Sequence, residues 1–185
     1  MGELDPGVVT MSPIDADFAQ AHVDELLRLA RQIPEAPWTA KDITGTVKAD
    51  GRIEHAKWEH TFALMQGGEI IGFVMAYVRD AEPNDNYPMN TLHTTGLAVR
   101  PDHQRQGHAR QLMCAVIDPV LAHGFSELTG NVVLSLQTNA AQWNQSVRAF
   151  YESLGFVVVG SKQYDNRTDV VMRASASEVL AAQQA

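Results

Sequence analysis

The sequence predicts a single α/β domain built on a mixed sheet. Three observations carry that prediction. The chain has 185 residues, the usual size of one domain. Apolar residues make up 45% of it and charged residues 19%, enough for a sizeable core. Apolar runs of strand character alternate with segments of helical period.

The elements follow in order. "VVTM" (8–11) is a short strand. Ser12-Pro13 opens a helix, with Ser12 or Asp15 as its cap. Ala19, Val23, Leu26, Leu27 and Ala30 then keep helical spacing from Asp15 to Arg31, and Pro34 and Pro37 end it. Residues 38–49 form a second helix, weakened by its Thr, Ile, Val and Gly content. "HTFALMQ" (60–66) and "EIIGFVMAYV" (69–78) flank Gly67-Gly68 and read as a hairpin. Residues 79–90 are an acidic loop rich in Pro and Asn. "TLHTTGLAV" (91–99) is a strand in which Gly96 marks a bulge or a close backbone approach.

Ala109, Leu112, Met113, Val116, Ile117 and Val120 form the next helical face, which Pro119 should kink or end. "NVVLSLQT" (131–138) is a strand. Val147, Phe150, Tyr151 and Leu154 make another helix, capped by Gly155 with Phe156 as its apolar partner. "FVVVG" (156–160) and "TDVVMR" (168–173) are the last strands. The domain is expected over 7–173, followed by a loose or helical tail at 174–185. There is no internal repeat and no dividing linker.

Charge narrows the function. The net charge is -8 and the pI about 5.2, so no broad basic face is available to neutralise nucleic-acid phosphates. The acidic balance suits a cationic substrate. No apolar run reaches the roughly 20 residues needed to span a bilayer. "MGELDPGVVTM" lacks the basic patch and apolar stretch of a secretory signal, and Pro6 weakens a myristoylation reading at Gly2. The single cysteine, Cys114, lies in an apolar helical pattern and reads as a buried structural thiol. It forms no internal disulfide, and a cytoplasmic setting is expected. The seven histidines show no metal-ligand spacing, so no metal is expected. His55, His60, His103 and His108 are expected to face solvent.

One stretch stands apart. "RPDHQRQGHAR" (100–110) places three arginines and two histidines around one glycine, between the strand ending "LAV" and a helix. A strand, a Gly-bearing turn and a helix start can bind an anion: first-turn amides lack intrahelical acceptors, and the helix dipole favours negative charge. Glycine lets backbone approach the anion closely. Gln106, Gly107, His108 and Ala109 would present amides, and Arg105 and Arg110 would add charge at the rim. Neither G-x-x-x-x-G-K-[ST] nor G-x-G-x-x-G is present. By itself, this stretch is equally a plain strand-to-helix turn.

"Gln104-Arg-Gln-Gly107-His-Ala109" resembles the Q/R-x-x-G-x-G/A signature of the GNAT N-acetyltransferase superfamily. "NQSVRAFYESLGF" (144–156) resembles that family's second signature, an Asn seven residues before a Tyr and then Gly-Phe. The separation of the two motifs and the order of elements over about 7–173 also fit. The one departure is Ala109, where glycine is commoner and alanine is accepted.

The resemblance implies a mostly antiparallel central sheet of about seven strands, flanked by helices and splayed between strands 4 and 5 of the family's count. It implies acetyl-CoA, or another acyl-CoA, as donor. The pyrophosphate would sit on the amides of 105–110. The pantetheine arm would pair with the backbone of Leu97 and Val99, and Asn144 would bond it. The amide of Leu97 or Ala98 would serve as oxyanion donor.

It also implies direct transfer to a primary amine within a ternary complex. Tyr151 is the candidate acid toward the departing thiolate, against the alternative of a core tyrosine. The strand at 91–99 holds no carboxylate, so His93 is the candidate base, against that of a plain buried strand histidine. The expected acceptor is a small molecule: a metabolite, amino acid or antibiotic. The alternatives are a peptide or protein amine, or a non-catalytic acyl-CoA-binding domain. Neither nucleic acid nor membrane is an expected partner, and a homodimer is compatible with the family. Asp24, Glu25 and Glu35 are candidates to attract the amine, and Trp38, Trp58 and Tyr87 to wall its pocket, although a charged helix face is often simply solvated.

Overall fold

The computed structural model describes residues 7–33, 38–47, 53–54, 60–78, 91–123, 133–141 and 144–183. Its central sheet has seven strands: β1 (Val9–Pro13), β4 (Phe62–Gln66), β5 (Glu69–Val78), β6 (Thr91–Val99), β7 (Val133–Asn139), β8 (Val157–Gln163) and β9 (Thr168–Ser175). They lie in the order β1-β4-β5-β6-β7-β9-β8. A separate ribbon pairs β2 (Thr46–Val47) with β3 (Ile53–Glu54). The pairings β1–β4, β4–β5, β7–β9 and β8–β9 are antiparallel, and β6–β7 is parallel. The expected α/β class and mixed, mostly antiparallel sheet are therefore found. The parallel pairing covers only Thr91↔Val133 to Thr94↔Leu136. It ends partway along β6, between the strands that the family counts as 4 and 5.

Contacts divide the chain into two compact units, Met1–Tyr77 with Thr95–Val116, and Val78–Thr94 with Ile117–Ala185.

In the first unit, α1 (Ala16–Ala21), α2 (Val23–Ala30) and α3 (Ala40–Thr44) supply Ala19, Leu26, Leu29, Ala30 and Ile43 to a core shared with Ala63, Ile70, Phe73, Met75 and Ala98. Asp15 caps α1, accepting from the Phe18 amide at 2.8 Å. The single expected helix is interrupted at His22, whose backbone (φ -116, ψ 18) leaves the helical basin while its ring stacks on Phe18 at 4.4 Å. The second expected helix shrinks to α3. It starts on a Thr39–Asp42 capping box and stops at Gly45, whose φ of 76 suits glycine.

The Gly67-Gly68 hairpin forms as expected. Gln66 pairs with Glu69, and both glycines take positive φ (59 and 87), as a tight two-residue turn demands. Register slips between Leu64 and Met65, leaving Ile71 as the extra residue of a bulge. The Glu25 carboxylate accepts from the Ile70 amide there at 2.9 Å. Gly96 earns its place by close approach: a Cβ on it would lie 2.9 Å from Trp38 Cζ2.

Helix α4 (His108–His123) runs past Pro119, so of the two expected outcomes, a kink or an end, the proline does not end it. A proline there forfeits one backbone bond, toward Ala115. The buried Leu112, Met113 and Val116 in the preceding turns favour the helix regardless.

In the second unit, Leu134, Leu136, Val171, Met172, Leu154 and Phe156 are buried. Helix α5 (Gln145–Glu152) ends in a Schellman motif: Phe156 N–H bonds Tyr151 O, Gly155 N–H bonds Glu152 O, and Gly155 takes φ 87. Within the expected tail, Ala176–Gln183 form α6. Ser175 and Glu178 cap it reciprocally, and Val179 is fully buried.

Candidate active site

The first group of site residues lies where β6 passes into α4. Arg100 N–H donates to Ile71 O at 2.8 Å, so the strand end is fastened to β5. Backbone direction alternates along a strand. The amides and carbonyls of Leu97 and Val99 therefore point away from β5, while Ala98 O faces the Gly72 side. A 3-10 turn, Pro101–His103, follows. Arg105 then takes φ 62 and Gly107 φ 86, and Gln111 N–H bonds Gly107 O at 3.1 Å to begin α4. The amides of the first turn precede that bond in the chain, and the first turn of α4 holds no acidic residue. Apart from its two chain neighbours, no heavy atom of the described residues lies within 4 Å of where a Cβ on Gly107 would stand, so the turn is open on that side.

The side chains of the stretch divide between the protein and the surface. Arg100 is committed to protein: Nη1 lies 2.6 Å from Glu69 Oε2, and Nε and Nη2 lie 3.2 and 2.7 Å from the Asp102 carboxylate. Hydrogen bonding to Asp102, then to Glu69, raises the Arg100 pKa further. Arg100, and then His103, hold the Asp102 carboxyl down to about 2. Gln104 Nε2 donates to Val99 O at 2.9 Å, and Gln106 Nε2 to Asp102 O at 3.3 Å. Arg105 is exposed and Arg110 half-buried.

The histidines correct the expectation of a solvated rim. His108 is 7% exposed, with Nδ1 3.2 Å from Gln111 Oε1 and a buried Nε2 that has no hydrogen-bond partner. His103 is half-buried, its Nε2 2.9 Å from Gln66 Oε1 and its Nδ1 2.9 Å from Asp102 Oδ1. His60 is buried too. Their burial is not revealed by residue type alone.

The second group lies in the other unit. His93 is buried on β6, and its Nδ1 is 2.8 Å from Oγ of Ser135, its register partner on β7. Asn144 precedes α5 and is buried. Its Nδ2 donates to Thr138 Oγ1 at 2.7 Å and to Asn139 O at 3.0 Å, fastening the helix start to the end of β7. Both amide hydrogens are thereby engaged, leaving Oδ1 as the acceptor for a ligand N–H. Tyr151 lies seven residues on, on the same helix face. It is 8% exposed, and its ring packs edge-on to Phe156 at 5.7 Å. No motif singled out Ser135, Gln66 or Glu69. Ser135 is legible only once the strand register is known.

Cys114 is buried, as a structural thiol should be. Glu25 is spent on the Ile70 amide and on His22, and is not an open charge for an amine. Asp24 is exposed and Trp38 packs on Phe73. Glu35, His55, Trp58 and Tyr87 lie outside the described residues. Among the described residues there is no group of three side chains fit for a metal, and no helix long and apolar enough to cross a membrane.

The sequence profile of the acetyltransferase (GNAT) family matches residues 23–156. No curated protein matches the chain. Among solved structures, the ribosomal-protein-S18-alanine N-acetyltransferase from Escherichia coli is similar, with 22% identity, TM-score 0.63, and coverage of 91% of this chain and 94% of that one. The NatC complex bound to Gag peptide and CoA is similar at 14% identity and TM-score 0.68, covering 90% and 98%. Diaminobutyrate acetyltransferase from Paenibacillus lautus, in complex with L-2,4-diaminobutyric acid and coenzyme A, is similar at 15% identity and TM-score 0.58, covering 89% and 94%. At these identities the likeness is one of fold.

Proposed function

The chain belongs to the acetyltransferase (GNAT) family, and from that premise we propose that it transfers acetyl from acetyl-CoA directly to a primary amine of a small molecule, with both substrates bound together. The observation that carries the donor side is the open turn at Gly107 beneath the first-turn amides of α4. These fit a pyrophosphate by dipole, by donor direction and by the absence of acidic side chains in the first turn. The net charge of -8 favours a cationic amine as acceptor.

Acetyl-CoA, when bound, supplies an acetyl group activated as a thioester. The amides of Arg105 to Arg110 hold its pyrophosphate, and the exposed Arg105 adds charge at the rim. Gln104 shapes the loop through Val99 O. Leu97 O and Val99 N–H pair with the pantetheine, whose amide reaches Asn144 Oδ1. Of the two oxyanion-donor candidates, Leu97 is favoured over Ala98, because its amide points away from β5. His93 takes a proton from the attacking nitrogen, which bonds to the acetyl carbon. Tyr151 gives its phenolic proton to the sulfur as the carbon–sulfur bond breaks. A cytoplasmic setting belongs to the same reading and is supported by the lone, buried Cys114.

The test is thiol release from acetyl-CoA across a panel of small primary amines and of peptides with a free α-amine. Turnover on small amines is expected. Turnover confined to peptides overturns the acceptor assignment. CoA binding without turnover on any amine overturns the transfer reading.

A further inference from the structure

The loop from Arg100 to Gly107 holds two residues at positive φ, Arg105 (62) and Gly107 (86). For arginine that conformation is costly, and it persists only where surrounding contacts over-determine it. Several of those contacts lie within the loop or at the β6 end it leaves: Arg100 to Asp102, Gln106 to Asp102 O, and Gln104 to Val99 O. Two other side-chain contacts leave the loop, and both reach the same place. Arg100 Nη1 meets Glu69 Oε2 at 2.6 Å, and His103 Nε2 meets Gln66 Oε1 at 2.9 Å. Gln66 and Glu69 are the paired residues that close the β4–β5 hairpin on either side of Gly67-Gly68. That hairpin end is held by contacts of its own, its two glycines set in a tight turn and the Ile70 amide bonded to Glu25.

We propose that Gln66 and Glu69 are positioning residues for the acyl-CoA loop, acting through His103 and Arg100 to hold its strained backbone in the binding shape. Neither touches the amides themselves. Their effect is preorganisation: a loop already in shape loses less freedom when the pyrophosphate arrives. The bidentate Arg100–Asp102 contact passes that restraint into the 3-10 turn. Glu69 is 69% exposed, so its ion pair is weak as a stability element and its loss leaves the fold intact. The inference rests on the reading of this loop as the acetyl-CoA site.

The experiment measures CoA affinity by calorimetry, and kcat and KM for acetyl-CoA, in Gln66→Ala, Glu69→Ala, the double variant and Glu69→Gln. Gly107→Val serves as comparator. The double variant should bind CoA about 3- to 10-fold more weakly, in keeping with one exposed and one part-buried polar contact. Its kcat at saturating acetyl-CoA should stay within about twofold of the parent, as expected when a change touches binding alone. Glu69→Gln keeps an oxygen for Arg100 and should recover most of the affinity lost in Glu69→Ala. Unchanged CoA affinity in the double variant, with Gly107→Val weakened, overturns the positioning role and leaves the loop reading standing. Unchanged affinity in Gly107→Val as well overturns both. A fall in kcat with KM unchanged also overturns the proposal.

Discussion

His93 Nδ1 lies 2.8 Å from Ser135 Oγ, and the two residues are register partners on the parallel strands β6 and β7. Both are buried, so the contact fixes the ring's orientation and engages one of its two nitrogens. If His93 is the base, His93→Ala should lower kcat/KM by about 10²–10⁴-fold and remove the rising acid limb of the pH–rate profile. Ser135→Ala should keep the limb and lower kcat less. An unchanged profile in His93→Ala would remove it from the mechanism.

Tyr151 is packed by Phe156 and Phe150, which fix its ring, so Tyr151→Phe isolates the hydroxyl. The expected result is a fall in kcat of about 10²-fold or more, with CoA affinity within about twofold of the parent. Steady-state kinetics beside calorimetry separates the two. Full turnover would return Tyr151 to a purely structural role.

Gly107→Val should weaken CoA binding more than Arg105→Ala does. The glycine's φ of 86 strains any other residue, and its side chain would enter the open space over the turn. Arg105 contributes only exposed charge at the rim. Should calorimetry rank Arg105→Ala as the more damaging, the binding is led by side-chain charge and not by backbone amides.

Asp102 has its folded pKa lowered to about 2, first by the Arg100 bond and then by His103. A lowered carboxylate pKa contributes stability that is present above the unfolded value of about 3.9 and is lost as pH falls through the folded value. Asp102→Asn should therefore lower the Tm at neutral pH. The gap between variant and parent should close as pH falls from about 4 toward 2. A gap that persists at the acid end would mean that the carboxylate charge is not the agent.

Gly96→Ala should destabilise the fold by about 1–3 kcal/mol, because the added methyl meets the Trp38 ring. The built Cβ lies 2.9 Å from Cζ2 and 3.2 Å from Cη2. Urea denaturation of Gly96→Ala, Trp38→Phe and the double variant tests this as a cycle. Additive losses would show that the two positions do not share that space.

Local signals survived well. The Gly67-Gly68 hairpin, the Asp15 cap, the Schellman turn at Gly155 and the strand–turn–helix around Gly107 depend on residues a few positions apart, and all were legible. The reading faltered where distant neighbours decide. Pro119 was expected to kink or end α4, and the helix does not end there; the preceding apolar face is buried. His108 and His60 were expected in solvent from their places at the loop rim and beside the hairpin strand, and both are buried.

The sequence by itself determined the α/β class, the order of elements and the two spaced motifs, because each is written in periodicity, turn residues and short-range spacing. Tertiary structure alone decided what the chemistry-bearing side chains touch. It set His93 against Ser135, 42 positions away. It engaged Arg100 with Glu69, and His103 with Gln66. The physical reason is that such contacts follow from strand register and from the path of a turn. Register depends on pairing between segments far apart in the chain, which no local pattern encodes.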